Sequence, residues 1–428
     1  MALINKNYFN LKNLVNFIIC FLPISFLLGS LIVNLNILTL LIVGFSLVIS
    51  QNLKLNLNKT EYLLILFFVL YILSTILNYE VIGKIFLIKS FLSLRFLFMY
   101  LLFKVLLENN KIQLDFFFKI CLICTSFLSI DVFVQFFYGK DIFGIPAWDG
   151  RVAGLLSPEG IAGGYIQRLF LFSFLGLISF LDKVKNKNLF IFFFIFLHLN
   201  ATLVTNNRIS LLFLVFTIFV LILFCTNLRK ILIISTITLS LSFTFLINSH
   251  KEIGHHLKTF QLNVINVDVQ KKSSNEAEKK LEIKNTFFNS THGRLFKSVF
   301  TSFTNNIYIG HGYKSYRLIC SENCSSHPHN YHLEILHDTG AVGYTLMFIF
   351  VSLILFKKVK KIVRRNSSKI PLNYIFYFTL LNFLIEIFPI RSSGGLFSTW
   401  NGTFTWVIIA MSLYEVVKKK NNFLNVRH

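Results

Sequence analysis

Long uninterrupted apolar runs constrain this chain more than any other feature. Hydrocarbon offers no water to pair exposed amides and carbonyls, so a segment crossing ~30 Å of it must do so as a helix of roughly 20 residues. By that rule about twelve helices are predicted, near residues 14–33, 35–50, 62–78, 81–107, 114–138, 161–181, 189–206, 207–225, 231–247, 331–356, 371–388 and 400–417. Only 14% of residues are charged, against roughly 25% in an ordinary soluble domain, which excludes a soluble globular enzyme. The net charge of +23 would suggest nucleic acid if it formed one patch. It is instead divided into short clusters between apolar runs such as 189–199 and 231–247, so no nucleic-acid partner is expected. The fold class predicted is an all-α polytopic membrane protein of about twelve transmembrane helices, with one large external loop containing amphipathic helices.

Positive residues stay on the cytoplasmic side of short loops. Lys54 and Lys59, then Lys111, then Lys183, Lys185 and Lys187, then Arg229 and Lys230, and then the cluster from Lys357 to Lys369 occupy every second connection. With Lys418, Lys419, Lys420 and Arg427 in the tail, both termini are expected in the cytoplasm. Lys6 and Lys12 precede the first run and no small-residue cleavage site follows it, so it reads as an uncleaved first helix. Three parts result: a membrane bundle of about nine helices over 1–247, an external loop over 248–330, and about three membrane helices over 331–428. No internal repeat is evident. Cys20, Cys121, Cys124 and Cys225 lie in predicted helices and read as packing residues. Cys320 and Cys324 lie in the external loop, where a disulfide and two separate thiols are both open.

Arginine in or beside a membrane helix asks for a partner or a wet cavity. On the external side stand Arg151, Arg208, Arg294, Arg317 and Arg391. Arg208 interrupts Asn206-Asn207-Arg208-Ile209-Ser210 where the chain turns at the membrane face, and reads either as a snorkelling residue or as an anion site, since its fork matches two phosphate oxygens. Arg294 opens a stretch with apolar residues at 295, 296, 299, 300 and 303, the spacing of an amphipathic helix lying on the membrane surface or over the bundle. Gly310-His311-Gly312-Tyr313 reads as a turn followed by extended chain.

The segment 326–343 is the richest in chemistry. Pro328 fixes an extended approach, so His329 falls at a loop-to-helix junction. There it suits a general base that removes a hydroxyl proton, or, more plainly, a helix cap. Four histidines with Glu334 and Asp338 could also suggest a metal, but no two of the histidines stand in the His-x-x-x-His spacing that puts two ligands on one helical face, so no metal is expected. Lys84, Lys89 and Arg95 are dense for a membrane span. Lys84 is expected near the external cavity, Lys89 is expected to pair with Asp131, and Glu386 to orient Arg391.

With these residues in view the chain resembles the O-antigen ligase and polymerase superfamily. His329-Asn330 and the later Gly340-x-x-Gly343 resemble the ligase signature at the end of a large periplasmic loop. Asn207-Arg208-Ile209-Ser210 resembles the family's Ser-Arg helix start, with Asn in place of Ser. Gly293-Arg294 followed by Gly310-x-Gly312 resembles its second arginine region, with Phe296 and Lys297 near where many relatives carry Trp.

The resemblance implies a glycosyltransferase of lipopolysaccharide biosynthesis in the bacterial inner membrane, its site facing the periplasm. It implies an undecaprenyl-diphosphate-linked glycan as donor and a lipid A-core sugar hydroxyl as acceptor. Arg208 and Arg294 would bind the diphosphate and His329 would activate the hydroxyl, with Arg151, Lys84, Asn330 and Arg391 as further substrate-binding residues. The reaction would be inverting and need neither cofactor nor metal. A polysaccharide polymerase would use the same chemistry with a glycan acceptor, and the Gly-x-x-Gly ending leans toward ligase. A lipid or polysaccharide transporter would spread paired charges through the membrane depth, whereas these crowd the outer half.

Overall fold

The computed structural model describes residues 2–147, 151–157, 159–181, 184–249, 291–319, 327–366 and 374–413. Among them the regular structure is helical, and strand-like pairing is confined to a single bridge between Lys140 and Pro146. Among the described residues nine helical stretches are long and apolar enough to span a membrane, one of them the interrupted Lys84–Glu108, and two shorter apolar helices, Arg208–Phe224 and Tyr374–Glu386, accompany them. The protein is thus a polytopic helical membrane protein. Cys320 and Cys324, most of the external loop and the basic tail lie outside the described residues.

In chain order the first helices are α1 (Ala2–Leu28), α2 (Ser30–Ser50) and α3 (Lys59–Leu77). The boundary between the first two, expected near residue 34, falls at Gly29, whose φ of 104° no side-chain-bearing residue adopts readily. The single run expected over 81–107 is broken into α4 (Tyr79–Ile82), α5 (Lys84–Leu92) and α6 (Leu94–Glu108), with the first break at Gly83. Next come α7 (Leu114–Tyr138), α8 (Ala162–Phe180), α9 (Lys187–Val204), α10 (Arg208–Phe224) and α11 (Arg229–Ser249). Helix α7 packs along α8, and Gly176 is what lets them approach: a Cβ there would stand 2.3 Å from the carbonyl oxygen of Phe118.

After the loop come α12 (Thr291–Phe303), α13 (Tyr316–Ile319), α14 (Tyr331–Asn366), α15 (Tyr374–Glu386) and α16 (Thr399–Ser412). The amphipathic helix expected at Arg294 is α12. It lies on the protein, with Leu295 and Val299 buried against Tyr316 and Leu333. The chain after Gly312 does not run extended as expected; it turns into α13, because Ser315 and Gly312 close a hydrogen-bonded turn.

Helix α14 is broken at Gly340 (φ 65°, ψ −168°). A break in a membrane helix leaves carbonyls and amides that other protein groups must satisfy. Here the 307–312 segment does so from both sides. The amides of His311 and Gly312 donate to the carbonyls of His337 and Asp338 at 3.0 and 2.9 Å, while those of Ala341 and Val342 donate to Ile307 and Tyr308 at 2.7 and 3.2 Å. The fit leaves no room: a Cβ on Gly340 would meet the Tyr308 carbonyl oxygen at 2.4 Å. Gly340→Ala is therefore expected to cost more than the ~1–3 kcal/mol of its backbone conformation alone. Gly139→Ala, also at positive φ but with nothing within 4 Å of the added Cβ, should cost only the conformational part, about 1 kcal/mol. Unfolding of the two variants in detergent checks the order; equal losses would show that the stapled break is not tight.

Candidate active site

The start of α14 gathers the chemistry. His329 precedes it with φ 54°, a left-handed conformation that histidine tolerates better than branched residues. Asn330 holds that start in place. Its Oδ1 accepts from the amides of His332 and Leu333 at 2.9 and 3.1 Å, as a helix cap does, and its Nδ2 donates to the carbonyls of Pro389 and Arg391 at 2.6 and 3.3 Å. The amide of Ser393 donates to the His329 carbonyl at 2.8 Å. The histidine backbone is thus fixed by its own helix and by the α15–α16 connection, with both polar atoms of the Asn330 side chain used in doing so.

The His327 ring lies 4.2 Å, centroid to centroid, from that of His329. Burial first, and then the nearby charges of His329 and Lys314, push His327 down to about 4, so it is neutral at neutral pH. His329 therefore sits beside an uncharged ring.

Arg208 is the first residue of α10, and Asn207 caps that helix by accepting from the amide of Ser210 at 3.3 Å. An asparagine does here what a serine would, since either oxygen satisfies an unpaired amide of the first turn. Arg151 is exposed, near enough for its charge to act on Arg208. Arg294 is exposed on α12, one residue before the Leu295 that packs against the α14 start. Arg391 connects α10 to α14. Its guanidinium carbon lies 5.2 Å from the centre of the Phe213 ring of α10, and its backbone carbonyl accepts from Asn330. The helix of Arg208 is thus joined to the start of α14 through Arg391, and the helix of Arg294 through Leu295. Lys84 and Arg317 stand at α5, Lys84 exposed at its start and Arg317 over the Phe86 ring at 4.7 Å.

Below this junction lies a buried ion network. Glu386 Oε2 receives Arg168 Nε at 3.1 Å and Arg391 Nη2 at 3.3 Å, which bears out the expected Glu386–Arg391 pair. Tyr331 and Thr405 donate to Glu386 Oε1 at 3.0 and 2.7 Å, and Arg168 also reaches Asn401 and Tyr331. Two arginines on one carboxylate leave the network one positive charge in excess. Arg168 escaped the sequence reading, although an arginine inside the apolar run 161–181 was a signal that a partner must exist.

The pairing expected between Lys89 and Asp131 is absent. Asp131 is buried and accepts from the amides of Ile142 and Leu155 at 2.9 and 2.7 Å, while Lys89 is exposed with its ammonium 5.6 Å from the Phe86 ring. Backbone amides folded over the end of α7 satisfy this carboxylate without a cation. Asp338, unremarked as a structural group in the sequence, ties three elements: Tyr71 Oη of α3 and the Lys314 amide donate to its Oδ2 at 2.9 and 2.8 Å, and Ser74 donates to its carbonyl.

An apolar cavity of about 240 Å³ opens between α14 and α15, lined by Tyr344, Phe348, Val351, Leu384 and Phe388 and bounded above by His332. It lies directly beneath the junction, so a long apolar chain attached to a ligand at that junction has somewhere to run.

Residues 191–348, from within α9 to the first half of α14, match a family model described as O-antigen ligase. Comparison with curated proteins returns no match.

Proposed function

We propose that this membrane protein, whose residues 191–348 match a family model described as O-antigen ligase, is an enzyme that transfers a glycan from undecaprenyl diphosphate to a sugar hydroxyl of lipid A-core at the periplasmic face of a bacterial inner membrane. What carries the reading is that Arg208, Arg294 and His329 all lie in that segment, with α12 packed on the start of α14 and α10 reaching it through Arg391.

The chemistry follows from the residue types. Breaking the bond between the anomeric carbon and the diphosphate oxygen leaves the electron pair on the diphosphate. Arg208 and Arg294 meet that developing charge, which stabilises the transition state more than the ground state. The acceptor oxygen forms the new bond from the opposite face of the sugar, and its proton passes to the His329 imidazole. The configuration at the anomeric carbon inverts. The energy of the donor bond drives the step, so no nucleotide is consumed. A growing glycan in place of lipid A-core would give a polymerase by the same steps.

The test uses purified protein in EDTA, with lipid-linked glycan extracted from cells that lack the protein, and lipid A-core from the same cells. Arg208→Ala should lower transfer about 100-fold, a usual loss for one donor aimed at developing charge. Arg208→Lys should recover little of it, because an ammonium cannot make the two-pronged contact. Wild-type transfer by Arg208→Ala would remove the diphosphate reading. Transfer to the glycan but not to lipid A-core would make the protein a polymerase.

A further inference from the structure

Beside His329 lie buried polar atoms that pair with nothing among the described residues. Ser393 is 6% exposed and Glu334 3% exposed, and neither Ser393 Oγ nor Glu334 Oε1 has a hydrogen-bond partner among the described residues. The Nε of Arg391, two residues before Ser393, has none there either. A buried polar atom left unpaired costs about 1–3 kcal/mol, so three around one short connection are not explained by folding.

Backbone bonds set where these atoms stand. Ser393 donates its amide to the His329 carbonyl at 2.8 Å, and three residues later Leu396 donates its amide to Glu334 Oε2 at 2.6 Å. The α15–α16 connection therefore grips the start of α14 at two points, His329 and Glu334, with Ser393 at the first, the Glu334 carboxyl at the second and Arg391 just before them on the connection. Gly395 faces the carboxylate: a Cβ there would lie 3.1 Å from the unused Oε1, so the missing side chain leaves that oxygen room. Lys314 is close enough for its charge to act on Glu334 and on His327 alike, which ties the carboxylate to the histidine pair.

We propose that Glu334 Oε1, Ser393 Oγ and Arg391 Nε form a subsite for the hydroxyls of the acceptor sugar, next to the hydroxyl that His329 deprotonates. The proposal rests on the transferase reading and adds to it which residues hold the acceptor. The groups match a neutral sugar ring. A carboxylate oxygen accepts from one hydroxyl, the serine hydroxyl donates to or accepts from its neighbour, and the guanidinium N–H donates to either. A site built to pair hydroxyls discriminates strongly, because a sugar lacking one leaves these groups unpaired again.

Ser393→Ala is the sharpest probe, since the hydroxyl it removes bonds nothing among the described residues and its loss leaves their fold as it was. In the assay above, Ser393→Ala and Glu334→Gln should each raise the KM for the acceptor about tenfold, the loss of roughly one hydrogen bond. The acceptor is whichever of lipid A-core and lipid-linked glycan supports transfer. The KM for the lipid-linked donor, and its slow hydrolysis when acceptor is omitted, should stay within twofold of wild type. If transfer proceeds and both variants keep the wild-type acceptor KM, the subsite is wrong and the transferase reading stands. If the wild-type protein transfers to neither acceptor, both fall together.

Discussion

His329→Ala should lower glycan transfer by about 10²–10⁴-fold, the range that a positioned proton acceptor contributes, while lipid-linked donor still binds. The size of the effect follows from placement. The His329 backbone is held by the Ser393 amide at 2.8 Å and by the Asn330 cap of the helix that follows it, so the imidazole is presented without first having to be ordered. His327→Ala is the matched control. Its ring is held down to about 4 by burial and by the charges of His329 and Lys314, and it should lose far less. Transfer by His329→Ala at the wild-type rate would take the imidazole out of the mechanism. A loss equal in His327→Ala and His329→Ala would point instead to packing of the two rings.

Glu386→Ala should be the most destabilising single change in the ion network, at about 3–5 kcal/mol, because it strands Arg168 and Arg391 in the bundle with no carboxylate. Residues on four helices meet at this carboxylate and its arginines: Arg168 from α8, Tyr331 from α14, Glu386 from α15 and Thr405 from α16. Adding Arg168→Met to Glu386→Ala should restore part of the loss, since an apolar side chain of similar length has no charge to strand. Thermal unfolding in detergent reads both. A Glu386→Ala protein as stable as wild type would mean that water reaches these arginines from the junction above.

Much of this was legible in the sequence because the bilayer permits so few backbones. Apolar run length gave the helices. Arg208, Arg294 and His329 stood out because each interrupts a pattern that hydrophobic spacing otherwise explains. The pairings were less accessible. Depth along a helix suggested Lys89 for Asp131, but depth carries no information about azimuth, and the carboxylate found two backbone amides instead. The Tyr71–Asp338 bond joins residues 267 positions apart, which no local periodicity reports. Glu334 was weighed only as a metal ligand, and its distinguishing feature, one oxygen used by Leu396 and one unused, exists only once the α15–α16 connection has folded across it.

The staple at Gly340 has a consequence for how such a protein can diverge. Helix α12, with Arg294, runs by a short connection into the 307–312 segment that is bonded into the break of α14, and α14 begins beside His329. The arginine and the histidine are therefore calibrated to each other downstream of residue 291. Insertions or deletions among residues 250–290 enter the sequence upstream of that linkage, so chain length there can vary without changing how Arg294 and His329 are tied together.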